Sequence, residues 1–143
     1  MTRSAPRTRS FYRHFTKFST RWGDNDVYGH VNNTVFYQWF DSAVNAWLVG
    51  QGLLDIAVGD PIGLVVETGC RFFAPLSFPG DVEVGMTVEH IGVSSVTYHL
   101  GVFAPRADVA AAEGHLTHVA VGRDTRRPVA LPGEWRERIE TLR

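Results

Sequence analysis

Two aspartates, a glycine, a histidine and three asparagines fall within residues 24 to 33, DNDVYGHVNN, directly before the longest apolar helical pattern of this 143-residue chain. Asp24 and Asp26 can act as acid, base or nucleophile. Gly29 permits backbone conformations that bulkier residues resist, and Asn32 and Asn33 are suited to starting a helix. A helix start presents unpaired N–H groups at the positive end of the dipole, a favourable place for charge developing on an oxygen. A carboxylate beside such donors is the equipment of a hydrolase.

The element that must position this loop is the helix behind it, expected over Asn33 to Val49. Val35, Phe36, Tyr37, Trp39, Phe40, Ala43, Val44, Ala46, Trp47 and Leu48 cover most of its circumference, while Gln38, Asp41, Ser42 and Asn45 form one narrow polar stripe. A surface helix shows the reverse proportion, and a membrane span needs about 20 predominantly apolar residues, so the pattern predicts a core helix wrapped by a sheet. Strand character follows near Leu64 to Ala74, Asp81 to His90, Ser95 to Ala104 and Val109 to Val121, with an earlier candidate from His14 to Trp22. Pro75, Pro79 with Gly80, Gly92 and Pro105 punctuate the run. Strand, helix, then a series of strands predicts an antiparallel α+β domain rather than a doubly wound parallel one. Glu134 to Leu142 is expected to form a short terminal helix.

Other constellations carry less chemistry. His115 and His118 look like a metal pair, but residues three apart on a strand face opposite sides, so no metal is expected. Cys70, the only cysteine, lies in a predicted strand and reads as a small buried apolar residue rather than a nucleophile. No G-x-S-x-G elbow, P-loop or G-x-G-x-x-G fingerprint is present. A net charge of −1 gives no global attraction to nucleic acid. The length suits one domain, able to bury about 68–70% of its unfolded surface. We expect residues 14–143 to form it and residues 1–13, with Arg3, Arg7, Arg9 and Arg13, to be a frayed basic tail. With one cysteine there is no intrachain disulfide framework, and a reducing cytoplasm is the expected compartment.

From about His14 to Pro132 the chain resembles the hotdog-fold acyl-CoA thioesterases of the 4-hydroxybenzoyl-CoA thioesterase type. The resemblance rests on an early strand, DNDVYGHVNN, a buried aromatic helix and an antiparallel run ending near Arg123. It implies a curved five-stranded antiparallel sheet around a long central helix, twofold pairing of subunits into a continuous sheet, and active sites at the subunit interface. Residue by residue, the family's catalytic carboxylate falls on Asp26 and its oxyanion donor, a backbone N–H of the first helical turn, on or beside Asn33. Asp26 would activate water as a general base or attack directly to give a mixed anhydride, and the sequence does not choose. Val27, Tyr28 and His30 depart from the founding pattern, which has proline, alanine and an aliphatic residue there.

Within that resemblance Asp24 reads as a loop-fixing residue, His30 as either a water- or substrate-orienting group or a turn histidine, and Phe36 and Tyr37 as borders of an acyl pocket. Arg123, Arg126 and Arg127 read either as partners for the phosphates of coenzyme A or as a solvated turn. The implied substrate is an acyl-CoA or an acyl carrier protein thioester, hydrolysed without metal or organic cofactor by a homodimer or a dimer of dimers. Two rivals are a non-catalytic acyl-thioester-binding hotdog module and a hotdog dehydratase or hydratase. The glycine-histidine-phenylalanine-proline signature of the latter is missing, since Val31 and Asn32 follow His30.

Overall fold

A computed structural model describes residues 4–143. Its elements run β1 (His14–Ser19), α1 (Asn33–Gly50), β2 (Ile62–Phe72), β3 (Asp81–Ile91), β4 (Ser95–Phe103), β5 (Ala112–Val121) and α2 (Gly133–Glu140), with short 3₁₀ turns at Arg9–Phe11 and Trp22–Asp24. The strands form one antiparallel five-stranded sheet in the order β1-β3-β4-β5-β2. The sheet curves around α1 and gives the expected hotdog fold.

Alternation along the strands explains the wrapping. Val82, Val84 and Met86 of β3, Val96, Tyr98, Leu100 and Val102 of β4, and Ala112, Leu116 and Ala120 of β5 are buried on the inner face against α1. From α1 come Val35, Phe36, Trp39, Phe40, Ala43, Val44, Trp47 and Leu48, so the helix is held by burial along its whole length. Close approach requires Gly114, where an added Cβ would collide with the Phe40 ring and the Gly69 carbonyl. Substitution there would overpack a full interior.

Element boundaries shift from the sequence expectation for identifiable reasons. β1 stops at Ser19 because Arg21 and Asp24 close a 3₁₀ turn. β5 starts at Ala112, since Val109 instead bridges to Thr8 and the Ala110 N–H donates to the Arg7 carbonyl. That pairing also corrects the frayed-tail expectation for the N-terminus. The Arg9 guanidinium donates to the Ala107 carbonyl at 2.6 Å and the Ala104 carbonyl at 3.1 Å, and it lies 3.1 Å from Glu83. Tyr12 is buried across Gly85 and Gly101, whose missing side chains make its groove. The positive charge that suggested a solvated tail is thus matched by carbonyls and Glu83. Residues 1–3, with Arg3, lie outside the described residues.

The two sheet edges differ. β1 is six residues long, whereas β2 is eleven and leaves Leu64, Val65, Val66 and Phe72 exposed. An apolar edge strand of that length is a template for pairing.

Candidate active site

The loop before α1 is built by backbone bonds that tie its two ends together. Asn25 bridges to Val31, the Asp26 N–H donates to the His30 carbonyl at 2.9 Å, and the Gly29 N–H donates to the Asp26 carbonyl at 3.1 Å. Gly29 sits at φ 84°, the left-handed conformation that glycine takes without a Cβ penalty. The Val31 N–H donates to the Leu76 carbonyl, Ser77 Oγ to the Gly29 carbonyl, and the Phe78 N–H to Asn25 Oδ1, so the loop is fixed to the 76–78 segment as well.

The two aspartates have separate environments. Asp24 is buried and accepts from the Arg21 N–H at 2.7 Å, Arg21 Nε at 3.0 Å and Arg21 Nη2 at 2.9 Å, while its carbonyl accepts the Asn32 N–H. It fixes the loop. Asp26 is half-buried, and its Oδ1 accepts the Tyr28 N–H at 2.9 Å. Its second oxygen has no donor among the described residues. One oxygen sets the orientation and the other is open to a reactant.

At the helix start, Asn32 is the N-cap, its Oδ1 accepting both the N–H and the hydroxyl of Thr34 at 2.9 Å. The Val35 N–H donates to the Asn32 carbonyl. Asn33, the first helical residue, is left as the first-turn residue whose N–H has no partner among the described residues. Asp26, His30 and Asn33 therefore share one loop-to-helix unit, with His30 exposed.

Beside this unit lies a cavity of about 310 Å³ with walls from Val31, Phe36, Phe72, Phe73, Pro75 and Leu76, together with His30. It is predominantly apolar and large enough for an acyl group. Phe36 meets Phe72 edge-on at 5.0 Å, joining the first turn of α1 to the end of β2. Tyr37 is partly buried against the core. Trp22, Val27 and Tyr28, between 84% and 94% exposed, flank Asp26 in the loop with apolar surface.

The three arginines sit elsewhere. β2 and β5 pair from Phe72 opposite Ala112 at the cavity end to Ile62 opposite Val121 at the far end, about 30 Å of strand. Arg123 follows that far end. Its guanidinium donates to the carbonyls of Gly59 at 2.5 Å, Ile56 at 2.9 Å and Asp55 at 3.2 Å, so its donors are committed to a loop. Arg126 and Arg127 are exposed on the turn beyond, with Arg126 at φ 59°.

Strand register also assembles a group that sequence spacing did not reveal. His99, Glu113 and His115, from β4 and β5, line a cavity of about 410 Å³ on the outer sheet face with Arg7, Arg71 and Cys70. Burial lowers the His99 pKa and pushes the Cys70 thiol up to about 12, which disfavours the thiolate at neutral pH. His118 faces the opposite, inner side, buried edge-on against Tyr98. Although larger, the outer cavity lacks the pairing of open carboxylate and free helical N–H, so the Asp26 unit is the candidate for chemistry.

A family model for the thioesterase-like superfamily matches residues 20–139. The chain belongs to this superfamily. It is a thioester hydrolase. This thioesterase is 47% identical to the PA5185 protein from Pseudomonas aeruginosa strain PAO1, with a TM-score of 0.94 over 98% of this chain and 97% of that one. Two more distant structures show the same fold. Slr0204, a 1,4-dihydroxy-2-naphthoyl-CoA thioesterase from Synechocystis, is 23% identical with a TM-score of 0.79 over 90% of this chain and 96% of that one. The gentisyl-coenzyme A thioesterase BH1999 is 23% identical with a TM-score of 0.76 over 88% of this chain and 99% of that one. No curated relative matches the thioesterase. No helix among its described residues is long and apolar enough to cross a membrane.

Proposed function

We propose that this thioesterase hydrolyses acyl-CoA to a free carboxylic acid and CoA at the Asp26 loop, without metal or organic cofactor. One observation carries the reading: among the described residues Asp26 is oriented through Oδ1 while its other oxygen has no donor, in the same loop that delivers an Asn33 N–H without a partner there. A thioester carbonyl directed at Asn33 would be polarised by that N–H and by the helix dipole, where charge develops in the transition state. As general base, Asp26 takes a proton from water as the hydroxyl attacks the carbonyl carbon. The tetrahedral intermediate then collapses, the C–S bond breaks, and the proton passes to the departing CoA thiolate. As nucleophile, Asp26 forms a mixed anhydride, expels the thiolate and is regenerated by water. The acyl chain occupies the apolar cavity beside Phe36, with His30 at hand to orient water or substrate.

The assembly we propose is a homodimer through β2, able to pair further as a dimer of dimers. Twofold antiparallel pairing about Gly69 would satisfy the exposed edge and set Glu67 of each copy opposite Arg71 of the other. Both side chains lie on the outer face, since Glu67 and Arg71 are opposite Thr117 and Glu113. The same pairing carries Arg126 and Arg127 of one copy to the cavity end of the other, within reach of CoA phosphates. A cytoplasmic setting suits a CoA substrate and the single cysteine. Thiol release over a panel of acyl-CoA esters tests the reading: turnover of at least one ester supports it, and binding without thiol release favours the non-catalytic module.

A further inference from the structure

The Asp55–Gly59 segment combines two properties that oppose each other in an isolated chain. Ile56 and Val58 are 75% and 73% exposed, yet their backbone is held tightly. Asp55 Oδ1 accepts the N–H groups of Ala57 at 2.9 Å and Val58 at 3.3 Å, and the Gly59 N–H donates to the Asp55 carbonyl at 2.8 Å. An added Cβ at Gly59 would press into the Asp55 backbone, so the turn is closed as far as a glycine allows. Arg123 locks it from outside through the carbonyls of Asp55, Ile56 and Gly59, while the Arg123 N–H donates to Asp60 Oδ1 at 3.1 Å. A rigid loop that shows two branched apolar side chains to water is preorganised for contact.

Its own acyl cavity is out of reach. The loop enters β2 at Ile62, and the cavity lies at the other end of that strand, about 30 Å away. Antiparallel pairing of β2 with a second copy reverses this relation. With the axis at Gly69, or one residue pair to either side, the partner's Ile62 comes level with the end of β2, where Phe72 and Leu76 line the cavity. Leu64, Val65 and Val66 add exposed apolar side chains along the same edge strand.

We propose that Ile56 and Val58 of one copy close the acyl cavity of the other and set its acyl preference, with Arg123 as the positioning residue that holds their loop. The proposal rests on the β2 dimer and on the cavity's role as acyl pocket. It also gives Arg123 a different task from Arg126 and Arg127, since its guanidinium donors already face carbonyls.

The test combines light scattering, an acyl-CoA panel and subunit mixing. In a dimeric protein, Ile56→Trp should lower kcat/KM for the bulkiest accepted acyl groups at least about 10-fold relative to the smallest, the scale of a pocket contact. Ile56→Ser should weaken that discrimination without changing the oligomer. Arg123→Ala should blur acyl preference in the same way, and Arg123→Lys should restore it only in part because an ammonium cannot fork across the carbonyls. Mixing Asp26→Asn with Ile56→Trp is decisive. After subunit exchange, a mixed dimer has one site with Asp26 from one chain and Ile56 from the other, which returns about a quarter of wild-type activity toward bulky esters. No recovery in dimers whose exchange is confirmed by tagged pull-down places the loop in its own subunit and overturns the proposal. An unchanged acyl profile in Ile56→Trp overturns it equally and leaves the dimer intact. A monomer by light scattering removes the dimer itself, a separate failure.

Discussion

Asp24 lies buried beneath the Arg21 guanidinium, two side-chain bonds at 2.9 and 3.0 Å joining them, while Asp26 two residues on has an open carboxylate oxygen. Identical side chains thus have different surroundings, one holding the loop and one left with an oxygen that accepts no bond among the described residues. Because buried Asp24 also accepts the Arg21 N–H, its truncation leaves that part-buried donor and the turn unsupported. Asp24→Ala is expected to cost about 1–3 kcal/mol of stability. Thermal denaturation should show the loss, and kcat below the new Tm should fall far less than in Asp26→Asn.

Stability should decline in mild acid because of two histidines. Burial lowers the pKa of His118, opposed by Asp41, and that of His99, opposed chiefly by Glu113 and Glu89. Both rings are therefore neutral in the fold where the unfolded chain already binds protons. Stability is fully present above the unfolded histidine pKa of about 6.5 and is lost as pH falls through the lower folded values. Each kcal/mol lost should lower Tm by roughly 2–4 °C in a chain of this size. Scans from about pH 7.5 to about pH 5 should show a shallower decline for the His99→Gln, His118→Gln double variant. An equal slope would assign the acid sensitivity to other groups.

Most of the fold was legible because its dominant signals are local. The aromatic run from Phe36 to Leu48 could only be a covered helix, and the breakers at Pro75, Gly80, Gly92 and Pro105 separated the strands. The N-terminus departs from its frayed-tail expectation because its charge is local, whereas the Glu83 and carbonyl partners of Arg9 lie about 70 to 100 residues away. The Asp26 loop was legible for the same reason in reverse: the ten consecutive positions 24 to 33 carry its turn, cap and carboxylate. Arg123 illustrates the limit, since spacing revealed a basic cluster but not that this member faces the carbonyls of residues 55, 56 and 59. The outer His99, Glu113 and His115 group depends on register between strands and has no signal in the linear chain.

Arg126 and Arg127, exposed on the turn after β5, are the cations we propose for the nucleotide end of CoA. Their joint replacement by Ala should raise KM for acyl-CoA roughly 3–10-fold, the scale of two exposed ion pairs at about 0.3–0.7 kcal/mol each. kcat should hold, because contacts remote from the thioester stabilise ground state and transition state alike. An acyl-pantetheine thioester, which lacks the nucleotide phosphates, should show no such rise. Equal increases for both substrates would make this turn purely structural.

Asp26 is the residue proposed to perform the chemistry, and steady-state thiol release by Asp26→Asn is its direct test. The amide keeps an oxygen to accept the Tyr28 N–H, so the loop and fold should persist by circular dichroism and thermal melting. It can neither take a proton from water nor form an anhydride. With Asp26 as base or nucleophile, kcat should fall at least about 10²-fold below wild type on the best acyl-CoA substrate. Near-wild-type turnover by a correctly folded Asp26→Asn protein would contradict it.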